Sequence, residues 1–309
     1  MPLFRAEAAP VVSYEIDCSS SDRAGFVKVA VLKSYRLFGC GQIPRRSIPL
    51  RRAGFADNPL TVFGVGRDLI ETMKKILLSW SGGKDSAWSL HVLRQSSEYT
   101  VAGLLTTVNE EFRRVAIHGF REELLDRQAE RAGLPLWKVR LPFPCSNDQY
   151  EARMAAICTR AVQEGFDGIA FGDLFLEEIR AYRMTKLAGT GLEPIFPLWG
   201  IPTDELAVTM MEGGLRARLT CMDPRKLPAE FAGREWDAAL LQALPTGVDP
   251  CGENGEFHTF AYAGPMFRSQ IAIKNGQRVE RDGFVYADMT AEDAATMDEP
   301  TRERDPQSL

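Results

Sequence analysis

Residues 74–93, KKILLSWSGGKDSAWSLHVL, decide the reading of this chain. An apolar run from Ile76 to Trp80 stops at Ser81-Gly82-Gly83-Lys84-Asp85-Ser86, and a helical pattern follows over Asp85–Arg94. The order is strand, glycine turn, helix. Two adjacent glycines let the backbone approach a ligand and aim several N–H groups at one point. The helix start adds partial positive charge. Together they make a phosphate cradle, distinct from a Walker A loop because GxxxxGK[ST] is absent. Asp85 and Ser86 can also serve as plain helix caps, a role compatible with the first.

Outward from this stretch, strands and helices alternate. Strands are expected at Thr100–Thr107, Leu136–Leu141, Gly168–Phe171 and Glu193–Phe196. Helices are expected at Phe120–Ala132, Asn147–Glu164 and Phe175–Ala188. Such alternation predicts an α/β fold with a doubly wound, mainly parallel sheet. Ligands bind beyond the strand C-termini, which places Ser81–Ser86, Thr106–Glu110 and Gly172-Asp173 at one edge. The pattern changes after Pro197. Helices at Asp204–Glu212 and Trp236–Leu244, a strand at Ala217–Met222, and a hairpin turning at Asn275-Gly276 predict a smaller α+β lobe. The expected domains are 73–196 for the phosphate-binding half, 197–289 for the second lobe, and 290–309 for an acidic, disordered tail.

Residues 1–73 hold ten Lys and Arg against seven Asp and Glu, whereas the rest holds 27 against 35. Val11–Ile16 and Phe26–Leu32 read as strands, and Gly39–Phe55 as loop. Met73 is the first methionine after Met1 and directly precedes the first core strand. Residues 1–72 are therefore expected to be a poorly ordered extension upstream of the native start, with a small basic module or arm as the alternative.

The 309 residues are 45% hydrophobic with net charge −5, which suits a globular protein with a sizeable core and argues against a broad nucleic-acid surface. No run is apolar enough to span a bilayer, and the N-terminus lacks a secretory signal's apolar segment. Six cysteines contain no CxxC pair, and there are three histidines. A zinc cluster or disulfide framework is not indicated, and the cytoplasm is the default compartment.

Three clusters carry chemistry. In the first, the N–H groups of Gly82 and Gly83 with Ser81, Ser86 and Lys84 suit the phosphates, and Asp85 suits Mg²⁺. In the second, Gly172-Asp173 ends a strand, and Asp173, Glu177 and Arg180 share a face at helical spacing. In the third, Glu253, Asn254, Glu256 and His258 crowd between glycines. If Glu253 and Glu256 are neighbours, one pKa rises and an acid/base group results, while His258 titrates near neutrality. His118 starts a helix and at most lines the site. Cys251 reads as a buried thiol.

The loop Ser81–Ser86 resembles the PP-loop of ATP pyrophosphatases, which split ATP between its α- and β-phosphates. Four further blocks follow in order: His118–Leu125 with Gly133-Leu134-Pro135, Gly172–Arg180, Pro197–Gly200 and Gly252–Thr259. From about Met73 to Met289 the chain resembles the diphthine–ammonia ligase family. The resemblance implies an adenine nucleotide α-hydrolase-type fold. It also implies an AMP-forming amide ligase that adenylates a carboxylate and transfers ammonia, with ATP and Mg²⁺ as cofactors. The implied acceptor is diphthine on elongation factor 2 where the host makes diphthamide, or otherwise another protein or small-molecule carboxylate. Ser81–Ser86, Gly172 and Asp173 carry over as the ATP site. Lys84, Glu253, Glu256 and His258 carry over as catalytic, and Glu177, Arg180 and Asn254 as substrate contacts. Asn254 stands where relatives are expected to have Asp. A homodimer stays open. A PP-loop tRNA-modifying enzyme and a nucleotide-binding protein without ligase activity are the alternatives.

Overall fold

The structure is a computed structural model that describes residues 73–292. The strands expected at 11–16 and 26–32, the loop at 39–55, the extension at 1–72 and nearly all of the tail lie outside the described residues. The final strand runs to Ala291, beyond residue 289.

The first half begins with β1 (Lys74–Ser79), α1 (Lys84–Leu93), β2 (Tyr99–Asn109) and β3 (Arg114–Val115). It continues through α2 (Glu122–Ala132), β4 (Leu136–Leu141), α3 (Asn147–Gln163), β5 (Gly168–Ala170), α4 (Glu177–Leu187) and β6 (Glu193–Ile195). Strands β4, β2, β1, β5 and β6 are parallel and lie in that order. Strand β1 stops at Ser79, opposite Leu105, so β2 runs on beyond it, still paired with β4 on its other side. The two-residue β3 fills that edge, antiparallel at Val108 and Asn109.

Alternation along the strands sends side chains to two cores. Ile76, Leu78, Leu104, Val108 and Ala170 face α1 and α2. Leu77, Leu105, Trp137, Val139, Ile169 and Phe171 face α3 and α4. Period two on a sheet buried on both sides produces this split and explains the near-continuous apolar strands. The expected doubly wound α/β sheet is therefore present. The chain order reverses between β1 and β5, where such sheets open a crevice.

The second half contains α5 (Thr203–Glu212), β7 (Arg216–Met222), α6 (Ala238–Ala243), β8 (Phe257–Ala263), β9 (Ile273–Arg281) and β10 (Phe284–Ala291). Its antiparallel sheet has the order β8-β7-β10-β9. Leu219, Phe260, Ala261, Val285 and Met289 join the same core as α1 and α2, so the second sheet covers that face of the first half. The expected turn at Asn275-Gly276 is not there. Strand β9 passes straight through it, and the two-residue turn is Asp282-Gly283, with φ 51° and 77°. Both dipeptides suit a type I′ turn. Tertiary bonds decide between them, because the Asn275 amide donates to the Gly233 carbonyl at 2.9 Å and accepts from Arg218 at 3.2 Å.

Candidate functional site

The phosphate loop is built from its own short side chains. Ser81 Oγ lies 3.1 Å from Ser86 Oγ and accepts the Gly83 N–H, and Ser86 Oγ donates to the Gly83 carbonyl at 3.0 Å. Gly82 has φ 77°, a region costly to other residues. A Cβ there would sit 2.4 Å from the Phe120 ring. Gly172, just after β5, is also closely packed, because its Cβ would lie 3.1 Å from the Asp85 carbonyl carbon. Ser81–Ser86 and Gly172-Asp173 thus meet at the switch point.

Gln128 fastens the loop from below. Its Nε2 donates to the carbonyls of Gly82 at 2.8 Å and Ala261 at 2.6 Å, and its Oε1 accepts from Trp80 Nε1 at 2.9 Å. This buried residue escaped sequence reading, although a lone amide inside the apolar stripe Leu124, Leu125, Ala129 was a usable signal.

The second half closes over the loop. The Ala261 N–H donates to the Gly82 carbonyl at 2.9 Å, and Thr259 Oγ1 accepts the Lys84 N–H at 3.0 Å. Lys84 is only 2% exposed, and its ammonium donates to Asp85 Oδ2 at 2.8 Å and to the Cys251 carbonyl. The rings of Trp236 and Phe257 flank it at 5.6 and 5.7 Å. Burial disfavours this charge, but Asp85 and nearby acids more than offset it and hold the ammonium protonated above its ordinary range. Two of its three N–H groups serve the protein, and it acts on the site as a buried positive charge.

The 252–259 block divides into separate environments. Glu253 Oε1 accepts the Leu174 N–H at 3.0 Å. Burial, then the charges of Asp85 and Asp173, push Glu253 up to about 7, against the Leu174 bond and Lys84. The carboxylates that raise it are therefore those two, and Glu256 is turned elsewhere. Glu256 is 2% exposed, and its Oε1 accepts the Asp249 N–H at 3.3 Å. Asp249, unmarked in the sequence reading, organises the loop. Its Oδ1 accepts the N–H groups of Cys251 and Glu253, and its Oδ2 the Thr203 hydroxyl.

His258 lies on β8 with its ring centroid 4.7 Å from that of His118. Burial, helped by Lys84, lowers His258 to about 4. The expectation that it titrates near neutrality is corrected, and Glu253 is the group poised there. His118 sits in the turn before α2, not inside a helix, because α2 begins at Glu122.

Asn254 is exposed, and its carbonyl accepts from Lys226. The expected face of Asp173, Glu177 and Arg180 does not form, because α4 starts only at Glu177. Asp173 pairs with Arg183 at 3.5 Å. Glu177 is exposed, and Arg180 lies over Trp199, 4.7 Å from its centroid, along a different groove.

A cavity of about 980 Å³ opens beside the loop, lined by Ser81, Thr106, Thr107, His118, Arg183 and others from α3 and α4. That volume accommodates a nucleotide. Buried Thr106 Oγ1 has no protein partner and can take a bond from a ligand. Asp85 Oδ1 is likewise buried and unpartnered. No group of three His, Cys, Asp or Glu among the described residues could hold a metal. One free carboxylate oxygen beside a phosphate cradle fits Mg²⁺, which keeps water and phosphate ligands.

The fold and loop define a nucleotide-binding α/β protein of the PP-loop class. Two family models match it, the diphthamide synthase N-terminal domain over residues 73–189 and the C-terminal domain over residues 202–291. The chain belongs to the diphthamide synthase family, and it is an enzyme of the ligase kind. The diphthine–ammonia ligase of Mus musculus is 22% identical over 67% of this chain and 85% of its own length. That of Danio rerio is 25% identical over 67% and 89%. The tRNA-specific 2-thiouridylase MnmA of Desulforamulus reducens is 26% identical over 45% of this chain and 46% of its own. No helix among the described residues is long and apolar enough to cross a membrane.

Proposed function

We propose that this chain is an ATP-dependent amide ligase that adenylates a carboxylate and transfers ammonia to it. The observation that carries the proposal is the joining of the phosphate loop to the Glu253 loop through Lys84, which brings a nucleotide cradle and a carboxylate poised near pH 7 into one site. An acceptor carboxylate oxygen attacks the α-phosphorus, the bond to the bridging oxygen breaks, and pyrophosphate leaves. Ammonia then attacks the acyl carbon, AMP leaves, and Glu253 takes a proton from nitrogen. The loop N–H groups that Ser81 and Thr259 leave open, with the Ser81 and Ser86 hydroxyls, hold phosphate oxygens. Asp85 Oδ1, with Asp173 nearby, would hold Mg²⁺, which supplies charge neutralisation for the departing phosphates. Diphthine on elongation factor 2 is the acceptor where the host makes diphthamide.

The partial match to a tRNA thiouridylase raises a sulfur-transfer reading. The described cysteines disfavour it: Cys145, Cys158, Cys221 and Cys251 are all buried, and burial pushes the Cys251 thiol up and Cys221 to about 12. The test is ATP/pyrophosphate exchange and AMP release with ammonium and a panel of carboxylates, diphthine peptide included. Glu253→Gln is expected to retain ATP binding and lose amide formation. Release of ADP and phosphate alone would overturn the ligase reading.

A further inference from the structure

Two imidazoles face each other over the phosphate loop. The rings of His118 and His258 are 4.7 Å apart and tilted by 43°. His118 Nε2 lies 2.9 Å from where a Cβ on Gly83 would sit, so the ring stands directly over the turn whose N–H groups form the cradle. His118 also lines the large cavity next to Ser81. It is held there by a tight turn in which its own N–H donates to the Ala116 carbonyl at 2.7 Å, and by an edge contact with Phe120. The Ala116 carbonyl acts on the His118 ring as a hydrogen-bond acceptor, and among the described residues neither ring is bonded to another side chain.

The geometry points to His118 as a nucleotide-contacting residue that donates a ring N–H to a non-bridging phosphate oxygen, with His258 stacked behind it to fix the ring. This rests on the reading of the cavity and loop as a nucleotide site, and it adds a ligand from outside the PP-loop motif. An imidazole here has a reason to be neutral. Burial, then His258 from β8 and Lys84 from α1, keep His118 well below the usual imidazole range, against the Ala116 carbonyl, which favours the charged ring. A neutral ring brings a directional donor to a site already charged by Lys84, without adding a second cation beside it. Gly83 must be glycine partly because this ring occupies the space above it.

The test uses the full chain with α,β-methylene-ATP and Mg²⁺ as probe. Calorimetric affinity is measured for wild type, His118→Ala and His118→Gln, and the histidine ring ¹⁵N shifts are followed with and without nucleotide. His118→Ala is expected to weaken binding about tenfold, as for a lost hydrogen bond to a charged oxygen. His118→Gln retains a donor and should recover most of that loss. The wild-type ring should show a neutral tautomer between about pH 6 and 9, with one nitrogen shifting on nucleotide addition. Unchanged affinity in His118→Ala, or ring nitrogens indifferent to nucleotide, overturns the inference. Equal losses in both variants without a ring shift show a merely structural residue and overturn it too. Normal nucleotide results with no AMP or amide formed by wild type would overturn the ligase reading alone.

Discussion

The serines of the phosphate loop at residues 81–86 are set by bonds within the loop, whereas Asp249 and Glu253 of the acidic loop at residues 249–256 also reach side chains and backbone far away in the chain. Ser81, Gly83 and Ser86 bond within a span of six residues. In the acidic loop, Asp249 takes the Thr203 hydroxyl, Glu253 takes the Leu174 N–H, and the Cys251 carbonyl takes the Lys84 ammonium. The serine bonds need only the loop's own residue types, although Gln128, Thr259 and Ala261 anchor its backbone from outside. A device assembled from four separate segments depends on the whole fold, so the electrostatics of Glu253 belong to no single stretch.

The sharpest way to break this comparison is to make the local loop fail. Gly82→Ala combines a left-handed φ with a Cβ 2.4 Å from Phe120, so it should cost about 3 to 4 kcal/mol. Urea denaturation measures this, and an unchanged midpoint would mean that the loop is far softer than its geometry indicates. Next comes the strut between the two loops. Lys84→Met leaves Asp85 without its cation and the Cys251 carbonyl without its donor, for about 2 to 3 kcal/mol. If stability is retained, the two loops are held together by Thr259 and Ala261 instead.

A smaller effect tests the acidic loop by pH. Glu253 binds its proton more tightly in the fold, at about 7, than in the unfolded chain, near the ordinary 4.5. Its folded form is therefore unpenalised below pH 4.5, and stability is lost as pH rises through about 7. Glu253→Gln should match wild type at pH 4 and be more stable at pH 8 by about 1 to 2 kcal/mol, allowing for its partial exposure. In wild type, amide formation should fall as pH drops below 7, because the base is then protonated. A pH-independent stability difference would show that burial and the Asp85 charge do not act on Glu253. Smallest of all, Asn254→Asp alters an exposed side chain, and its stability should stay within about 0.5 kcal/mol of wild type. A large change in nucleotide affinity there would extend the electrostatic site out to the loop tip.

Some errors in reading the sequence share a physical origin. Asn275-Gly276 and Asp282-Gly283 carry the same turn chemistry, and only the Gly233 and Arg218 partners of Asn275 choose between them. Asp173 and Glu177 were placed on one helical face by spacing, but the helix starts at Glu177, and Asp173 finds Arg183. Glu253 and Glu256 are close in sequence, yet one faces the phosphate loop side and the other the Asp249 backbone. Periodicity reports which face a residue takes within an element. It is silent about partners across elements.

The sequence by itself determined the parallel sheet, the strand-turn-helix at residues 74–93 and the family blocks, because apolar periods and glycine turns are encoded locally. Only the tertiary structure decided that Lys84 turns inward to Cys251, that His118 and His258 meet over Gly83, and that Asp85 and Asp173 set the proton affinity of Glu253. Those outcomes depend on through-space electrostatics and burial between segments as distant in the chain as Lys84 and Cys251, 167 residues apart, or more, and neither quantity is carried by residue order alone.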